Sequence, residues 1–489
     1  MQKLLAFYGN IAPVKKTTKN QRVAGIAAAS AIALTSLFST GYAQNAGIPP
    51  VADTGKPDII VVLTDDQRYD ALGAMGNTLI RTPNMDKLAQ AGVLFRNGYV
   101  TTSICCVSRA SILTGQHGAR HHIADFTTNL SAAALAQTYP ALLKNAGYTL
   151  GFIGKFGVGR TPPDSLFDFW VNMEAGEKTQ PDYITLDGNG KQIHDTDTIG
   201  HAIQGFLDRY GSQSPFCLSV SFKAPHEQDG DPPTYVVQPA YQDYYKEITI
   251  PYPVTADTAY WNQLPDFLRT ESNFGRSRWR GLFGSPELYQ NNVKNYYRLI
   301  TGVDDVMGKM VQRLGELGIT KKTIIIFMGD NGMFLGEHGM EGKWYGYEES
   351  IRVPLFIYDP RLPDKIRQYT ASQIALNIDI APTILGMAAI PAPEDMQGID
   401  LLAMLEGQIP ERQDFFYQHL FLGSPHIPRE EGVVTGRFKY MDFIEHGYEE
   451  LYDIKNDPHE TTNLARDPHY KKTLRSLRKR YKWLKKTAR

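Results

Sequence analysis

The sequence predicts an α/β fold: a large domain with a mainly parallel, mixed β-sheet sandwiched by helices, followed by a small C-terminal α+β subdomain with an antiparallel sheet. Three observations predict it. DIIVVLTDDQ, starting at Asp58, and TIIIFMGDNG, starting at Thr323, contain unbroken runs of mostly β-branched apolar residues, the pattern of strands buried on both faces of a parallel sheet. Residues 83–92 and 296–317 carry apolar side chains three and four apart, the helical period. Beyond residue 390, GVVTGRFKYMDFI and EELYDI read as short antiparallel strands, and a basic helix closes the sequence.

In chain order, Lys15, Lys16, Lys19 and Arg22 precede a weakly apolar stretch from Val23 to Phe38, and Gly41 and Ala43 follow as small residues. This layout predicts a signal peptide over residues 1–43, a linker over 44–55, and a periplasmic or secreted location. The apolar stretch is short and rich in alanine and serine, whereas a membrane span needs about 20 apolar residues. No stable membrane anchor is expected. With 51 basic and 52 acidic residues, a net charge of -1 and 42% hydrophobic residues, the composition is that of a globular protein with no basic excess for nucleic acid. Three cysteines, Cys105, Cys106 and Cys217, are too few for a disulfide scaffold, and adjacent cysteines pair only with strain. Positions 105 and 106 are therefore candidates for chemistry.

The large domain is placed at residues 56–390 and the C-terminal subdomain at 391–489. The first buried strand ends in Asp65-Asp66 and the second in Asp330-Asn331. Ligands of open α/β sheets bind beyond the carboxyl ends of the strands. Three carboxylates and an amide oxygen there suit a hard divalent cation, Ca²⁺ or Mg²⁺, rather than zinc. In SICCVSRASILTGQ, residues 103–116, Ser108 is expected to cap a helix through Ala110, Ile112 and Leu113. An anion is favoured at such a helix start, and the Arg109 guanidinium matches a tetrahedral oxyanion. A cation, an anion site and a cysteine together suggest nucleophilic attack on a sulfate or phosphate ester. Residues 226–292 lose all clear period and read as a substrate-side insertion. In the closing helix, Leu474, Leu477, Tyr481 and Leu484 share one face, which predicts a docked apolar stripe with the lysines in water.

Over nearly all of the chain after the leader, these residues resemble the type I sulfatase family of the alkaline phosphatase superfamily. The family pattern has Arg four residues after its cysteine and Leu-Thr-Gly at eight to ten, which selects Cys105 over Cys106. The same order of blocks continues through IIVVLTDDQ, RTPNMDKLAQAGVLFRNGY, FIGKFGVG, SFKAPHE, IIIFMGDNGMFLGEHGMEGKWYGYEESIRVPL, NIDIAPTIL and ELYDIKNDPHETTNLA. The resemblance implies that a formylglycine-generating enzyme converts Cys105 to formylglycine (3-oxoalanine), whose hydrated aldehyde is the nucleophile. It implies metal ligation by Asp65, Asp66, Asp330, Asn331 and the modified Cys105. Arg109, Lys155, His226 and Lys343 would contact the sulfate or the formylglycine, with His226 as the acid for the departing alcohol. His338 either lines the substrate pocket or braces its loop, and His426 and Arg429 are candidates for contacting a sugar.

Two positions depart from the family pattern. Val107 stands where the family has Pro or Ala, and Gly157 stands where it has a histidine two after the lysine, a role for which His121 or His122 are the nearby candidates. The expected activity is hydrolysis of O-sulfate esters on a sulfated poly- or oligosaccharide. A phosphodiesterase or phosphonate monoester hydrolase of the same superfamily, and a non-catalytic binder of sulfated glycans, remain as alternatives.

Overall fold

The computed structural model describes residues 55–174, 180–213, 215–363 and 365–489; the expected signal peptide and nearly all of the linker lie outside them. Strand β1 (Asp58–Asp65) runs at the centre of an eight-stranded sheet with β2 (Val93–Tyr99), β3 (Thr149–Gly154), β4 (Phe169–Asn172), β5 (Phe216–Pro225), β6 (Thr323–Gly329), β7 (Leu355–Tyr358) and β8 (Tyr369–Leu376). Their spatial order is β8-β2-β7-β6-β1-β5-β3-β4. Every pairing is parallel except the two made by β7, so the sheet is mixed and mainly parallel, as the buried apolar runs predict.

Alternation along β1 splits the core into two layers. Ile60 and Val62 pack on one face with Ile199 and Phe206 of α3 (Asp195–Tyr210) and Leu299 and Val303 of α5 (Pro286–Glu316). Ile59 and Val61 face the other way, against Ile112 of α2 (Cys105–Thr114) and Ile380 and Ile384 of α6 (Ile380–Met387). The first helix, α1 (Pro83–Ala91), matches the periodic stretch read at 83–92.

Residues 226–292 are more regular than the sequence suggests. They include a short helix, Thr258–Gln263, and α4 (Phe274–Leu282), and α5 already starts at Pro286. The arginines at 276, 278 and 280 interrupt the apolar period of α4 and hide it.

The C-terminal sheet has four antiparallel strands, β9 (Asp414–His419), β10 (Glu430–Thr435), β11 (Phe438–Phe443) and β12 (Tyr448–Asp453). The sequence pattern gives no sign of β9. Its Phe415-Phe416-Tyr417 run does not alternate because both faces are covered: Phe415 and Tyr417 join the large core, and Phe416 packs under the last helix, α7 (Lys471–Thr487). Leu474, Leu477 and Tyr481 of α7 are buried on that outer face, and Leu484 packs partly against it, as the stripe predicts. The described residues form one compact unit.

A buried charge cluster joins the small sheet to the segment 346–352. Lys439 of β11 ion-pairs with Glu348 at 2.9 Å and Glu460 at 2.8 Å, Glu430 accepts from the Gly346 amide at 2.7 Å, and Glu450 accepts from the Tyr347 hydroxyl at 3.2 Å. With one lysine among four glutamates, burial and the nearby Glu460 charge push the Glu450 carboxyl up to about 8. A carboxyl that titrates near 4.5 when unfolded and near 8 when folded holds its proton more tightly in the native state, so its contribution to stability is full below the lower value and is lost as pH rises through the higher. Thermal unfolding followed by circular dichroism should show the melting temperature falling from pH 5 to pH 8 more steeply for the wild type than for Glu450→Gln. Equal slopes would show that Glu450 is not the source.

Candidate active site

The parallel register assembles the site. Thr64 of β1 pairs with Gly329 of β6, Asp65 pairs with Pro225 of β5, and Gly154 of β3 pairs with Ser221 of β5. Four strands therefore end side by side, and the residues just past them are Asp66, Asp330, His226 and Lys155. Asp65, Asp66, Asp330 and Asn331 are at most 1% exposed. The Asp330 amide donates to Thr64 O at 2.9 Å, the Asp66 amide donates to Asp330 Oδ1 at 3.1 Å, and Asn331 Nδ2 donates to Asp66 Oδ1 at 2.6 Å.

Helix α2 brings in the nucleophile candidate. Ile104, in extended conformation, is the residue before it, so Cys105 itself opens the first turn. This corrects the expected cap: Ser108 lies inside the helix, its amide bonded to Ile104 O at 3.0 Å and its hydroxyl accepting from Asn377 Nδ2 at 2.9 Å. The other end is closed by Gly115, whose φ of +67° is the left-handed turn that ends a helix with least strain in glycine. The Cys105 sulfur and carboxylate oxygens of Asp65 and Asp330 lie within 4.8 Å of one another. All three cysteines are free and buried. Val107 stands in the first helical turn, where an amide has no intrahelical partner, so the fold itself makes no demand for proline there.

Cations surround the carboxylates. Arg109, one turn into α2, donates through Nε to Asp330 Oδ2 at 2.8 Å and through Nη1 to Lys155 O at 2.8 Å and to the Ser221 hydroxyl. Lys155 Nζ pairs with Asp65, and Lys343 Nζ pairs with Asp66. His226 Nε2 lies 3.4 Å from Asp66 Oδ2, while its Nδ1 bonds Glu227 O at 2.6 Å. Burial opposes ionisation of Asp65, but Lys155, His226, Arg109 and Lys343 hold its carboxyl well below the usual range. Asp66 and Asp330 are raised, by burial and by the neighbouring carboxylates, against the pull of Lys343 and Arg109. Burial also pushes the Cys105 thiol up to about 11 and takes His226 well below its ordinary value.

Asp65 Oδ1 and Asn331 Oδ1 are buried and have no hydrogen-bond partner among the described residues. Unpaired buried oxygens next to three carboxylates are what a hard cation would satisfy, so this donor set fits Ca²⁺ or Mg²⁺.

Other residues named from the sequence lie in different surroundings. The His338 ring packs on Tyr347 with centroids 4.5 Å apart, burial lowers it to about 3, and the charges that act on it are those of Asp457, His459 and Lys439. His426 stacks on Phe274 at 4.7 Å. Arg429 donates to the carbonyls of Leu420 and Leu422. His121 is held by Ser111 and the Ile123 amide, and His122 is exposed at the end of a short turn. At Gly157, with φ +72°, a Cβ would lie 2.7 Å from Arg109 Cδ, so Arg109 occupies the space a side chain would need.

The structure adds groups the sequence did not single out. Glu174 caps the Phe156 and Gly157 amides at 3.0 and 3.1 Å, and Gln180 Nε2 lies 3.3 Å from His226 Nε2. Arg278 of α4 bridges two carboxylates: Glu227, directly after His226, and Glu341, two residues before Lys343, at 2.6 Å. One guanidinium thus ties together the two loops that carry His226 and Lys343. Glu227 in SFKAPHE and Glu341 in GMEGKW lie within recognisable blocks; Arg278 sits where the period is lost.

A profile of the family described as Sulfatase matches residues 57–390. The chain belongs to the sulfatase family. A second profile, described as N-sulphoglucosamine sulphohydrolase, C-terminal, matches residues 336–487. An N-acetylglucosamine-6-O-sulfatase of Bacteroides thetaiotaomicron is 31% identical, with 88% of this chain and 86% of the relative covered. A solved structure of a protein in complex with its substrate D-glucosamine-2-N,6-O-disulfate aligns with a TM-score of 0.78 at 27% identity, covering 88% of this chain and 98% of that one. A phosphonate monoester hydrolase of Agrobacterium radiobacter shares the fold, with a TM-score of 0.74 at 23% identity over 89% of this chain and 96% of that one. This sulfatase is an enzyme that hydrolyses sulfate esters.

Removing Arg278 leaves Glu227 and Glu341 facing each other without their cation. Arg278→Gln should lower kcat on an alkyl sulfate by about 10²-fold, the scale of a displaced catalytic group, with a smaller loss on an aryl sulfate that needs less help in departing. Steady-state kinetics on both esters checks this, and equal losses on the two would mean that Arg278 only supports the fold.

Proposed function

We propose that this sulfatase removes O-sulfate from a sulfated oligo- or polysaccharide, with Cys105 matured to formylglycine and with Ca²⁺ or Mg²⁺ held by Asp65, Asp66, Asp330, Asn331 and position 105. The observation that carries the reading is the convergence of Cys105, Asp65 and Asp330 within 4.8 Å beside two buried oxygens without hydrogen-bond partners. A divalent cation there supplies charge that offsets the carboxylates and polarises a sulfate oxygen. A thiol pushed up to about 11 is protonated at neutral pH and a poor nucleophile, which favours a matured residue at 105; formylglycine supplies a hydroxyl in its place.

The chain's own residues account for binding and proton transfer. Arg109 offers a fork of donors to sulfate oxygens, and Lys155 and Lys343 add point charges in a buried site where electrostatic contacts count for more than in water. A cation held by these carboxylates would leave Lys155 and Lys343, now paired with Asp65 and Asp66, free to face the substrate. His226, oriented by its Nδ1–H donating to Glu227 O, presents Nε2 toward the same centre; burial and the Lys343 charge keep the ring neutral here, and it would serve as the acid for the departing alcohol once a bound sulfate offsets the lysine charge and lets Nε2 take up a proton. The relative that acts on N-acetylglucosamine 6-O-sulfate supports an amino sugar with a 6-O-sulfate as substrate. The layout of residues 1–43 supports export, and among the described residues no helix is long and apolar enough to cross a membrane.

Mass spectrometry of the peptide containing position 105, with sulfate release measured from N-acetylglucosamine 6-sulfate and from an aryl phosphate, tests the reading. The expected result is an aldehyde at 105, sulfate release far above phosphate release, and no turnover in Cys105→Ala, which keeps its fold. An unmodified thiol with no turnover supports the glycan-binding alternative, and faster phosphate release supports the phosphohydrolase one.

A further inference from the structure

The last 19 residues hold ten of the 51 basic residues of the chain and none of the 52 acidic ones. The stripe of α7 formed by Leu474, Leu477, Tyr481 and Leu484 is docked on the outer face of the small sheet. Lys472, Arg475, Lys479, Lys482 and Lys486 are spaced three and four apart, and at 3.6 residues per turn they fall on the opposite side of the helix. All five are exposed, and none makes an ion pair among the described residues. The basic residues nearer the sheet behave differently: Arg478 pairs with Glu449, Arg480 with Asp414 and Lys485 with Glu431. The helix therefore carries one cation row that is neutralised by the sheet and one that is not.

The second row runs for about 21 Å with a cation on each turn. Beside it stands Trp483, 53% exposed, with the Arg480 guanidinium 4.2 Å from its ring centroid. An exposed indole whose orientation is fixed by a cation on one side offers an apolar platform next to a line of positive charge. The strip lies on the face of the C-terminal sheet turned away from the large core, since Phe415, Tyr417, Val434 and Met441 cover the other face.

We propose that the outer row of α7, Lys472, Arg475, Lys479, Lys482 and Lys486 with Trp483, is a docking strip for a sulfated polysaccharide, separate from the catalytic centre. The proposal rests on the substrate class given under Proposed function and deepens it: a linear polyanion held at a remote strip is kept close to the enzyme while single sulfates are removed. Charge complementarity selects a polyanion, because an acidic partner gains five cations that no protein carboxylate neutralises. The ring of sugar residues supplies faces for Trp483. A lipid surface fits less well, because the apolar side of the helix is already buried.

The test uses Cys105→Ala as the background for binding and the matured enzyme for activity. Immobilised heparin serves as the sulfated polysaccharide, immobilised uncharged dextran as control, and double-stranded DNA and phosphatidylserine vesicles as other anionic surfaces. The triple variant Lys479→Glu, Lys482→Glu, Trp483→Ala alters only exposed positions. Expected are salt-dependent retention on heparin, with binding weakened roughly 10²-fold to 10³-fold between 50 and 200 mM salt by counterion release, and early elution of the variant. The variant should keep the wild-type kcat/KM on 4-nitrophenyl sulfate and lose tenfold or more in kcat/KM on a sulfated polymer. Equal retention of variant and parent, or tighter binding to DNA or to vesicles than to heparin, overturns the proposal. Absence of wild-type hydrolysis of 4-nitrophenyl sulfate and N-acetylglucosamine 6-sulfate would count against the sulfatase reading itself, and retention on heparin is scored independently of it.

Discussion

Three carboxylates buried within reach of one another cannot all stay charged without cations close by, and the centre of this protein is organised around that constraint. Asp65, Asp66 and Asp330 are brought together by the parallel register of β1 and β6, with the Asp66 amide donating to the Asp330 carboxylate. Their repulsion is balanced by Arg109, Lys155 and Lys343, each delivered by a different part of the chain. The same three cations are the groups best suited to a sulfate. On the proposed reading, these side chains would turn to the substrate once the carboxylates had another positive partner.

The uneven sharing of these cations explains why the carboxylates differ. Asp65 is the most strongly held in its charged form because Lys155 and Arg109 both reach it, whereas Asp66 and Asp330 are raised, each against a single close cation and next to a charged neighbour. Asp65 and Asn331 still keep one unpaired oxygen each. The uneven distribution leaves a defined gap rather than a diffuse negative patch. Around it, Arg278 ties the loops of His226 and Lys343 to each other, so that this side of the site is built from the segment 226–292 as well as from the sheet.

The sheet and its acidic edge were legible in the sequence because buried parallel strands advertise themselves as long apolar runs and their ends as abrupt acidic pairs. Cys105 was legible through its spacing to Arg109 and Leu113-Thr114-Gly115. Its place as the first residue of α2 was not, since Ser108 looks like a cap while the helix actually starts three residues earlier from an extended Ile104. β9 escaped notice because its apolar run, Phe415-Phe416-Tyr417, is too short to stand out as a doubly buried strand and, being covered on both faces, shows no alternation either. Arg278 escaped for a different reason: it acts through partners far away in the sequence, and a single charged residue in an irregular stretch carries no local signal; Glu341 and Ser221 lie within readable blocks, but nothing local shows that they pair with Arg278 and Arg109. His426 and Arg429 show the converse, since a sequence can nominate a cation without showing that Phe274 and two backbone carbonyls already engage it.

Thermal unfolding of chelator-stripped protein titrated with Ca²⁺ and with Mg²⁺, in the wild type and in Asp330→Asn, tests the central claim most directly. If the carboxylates and Asn331 form a cation site, at least one of the two ions raises the wild-type melting temperature saturably, and the rise is much smaller in the variant. A wild-type melting temperature unchanged by either ion, or an equal rise in Asp330→Asn, would contradict the account.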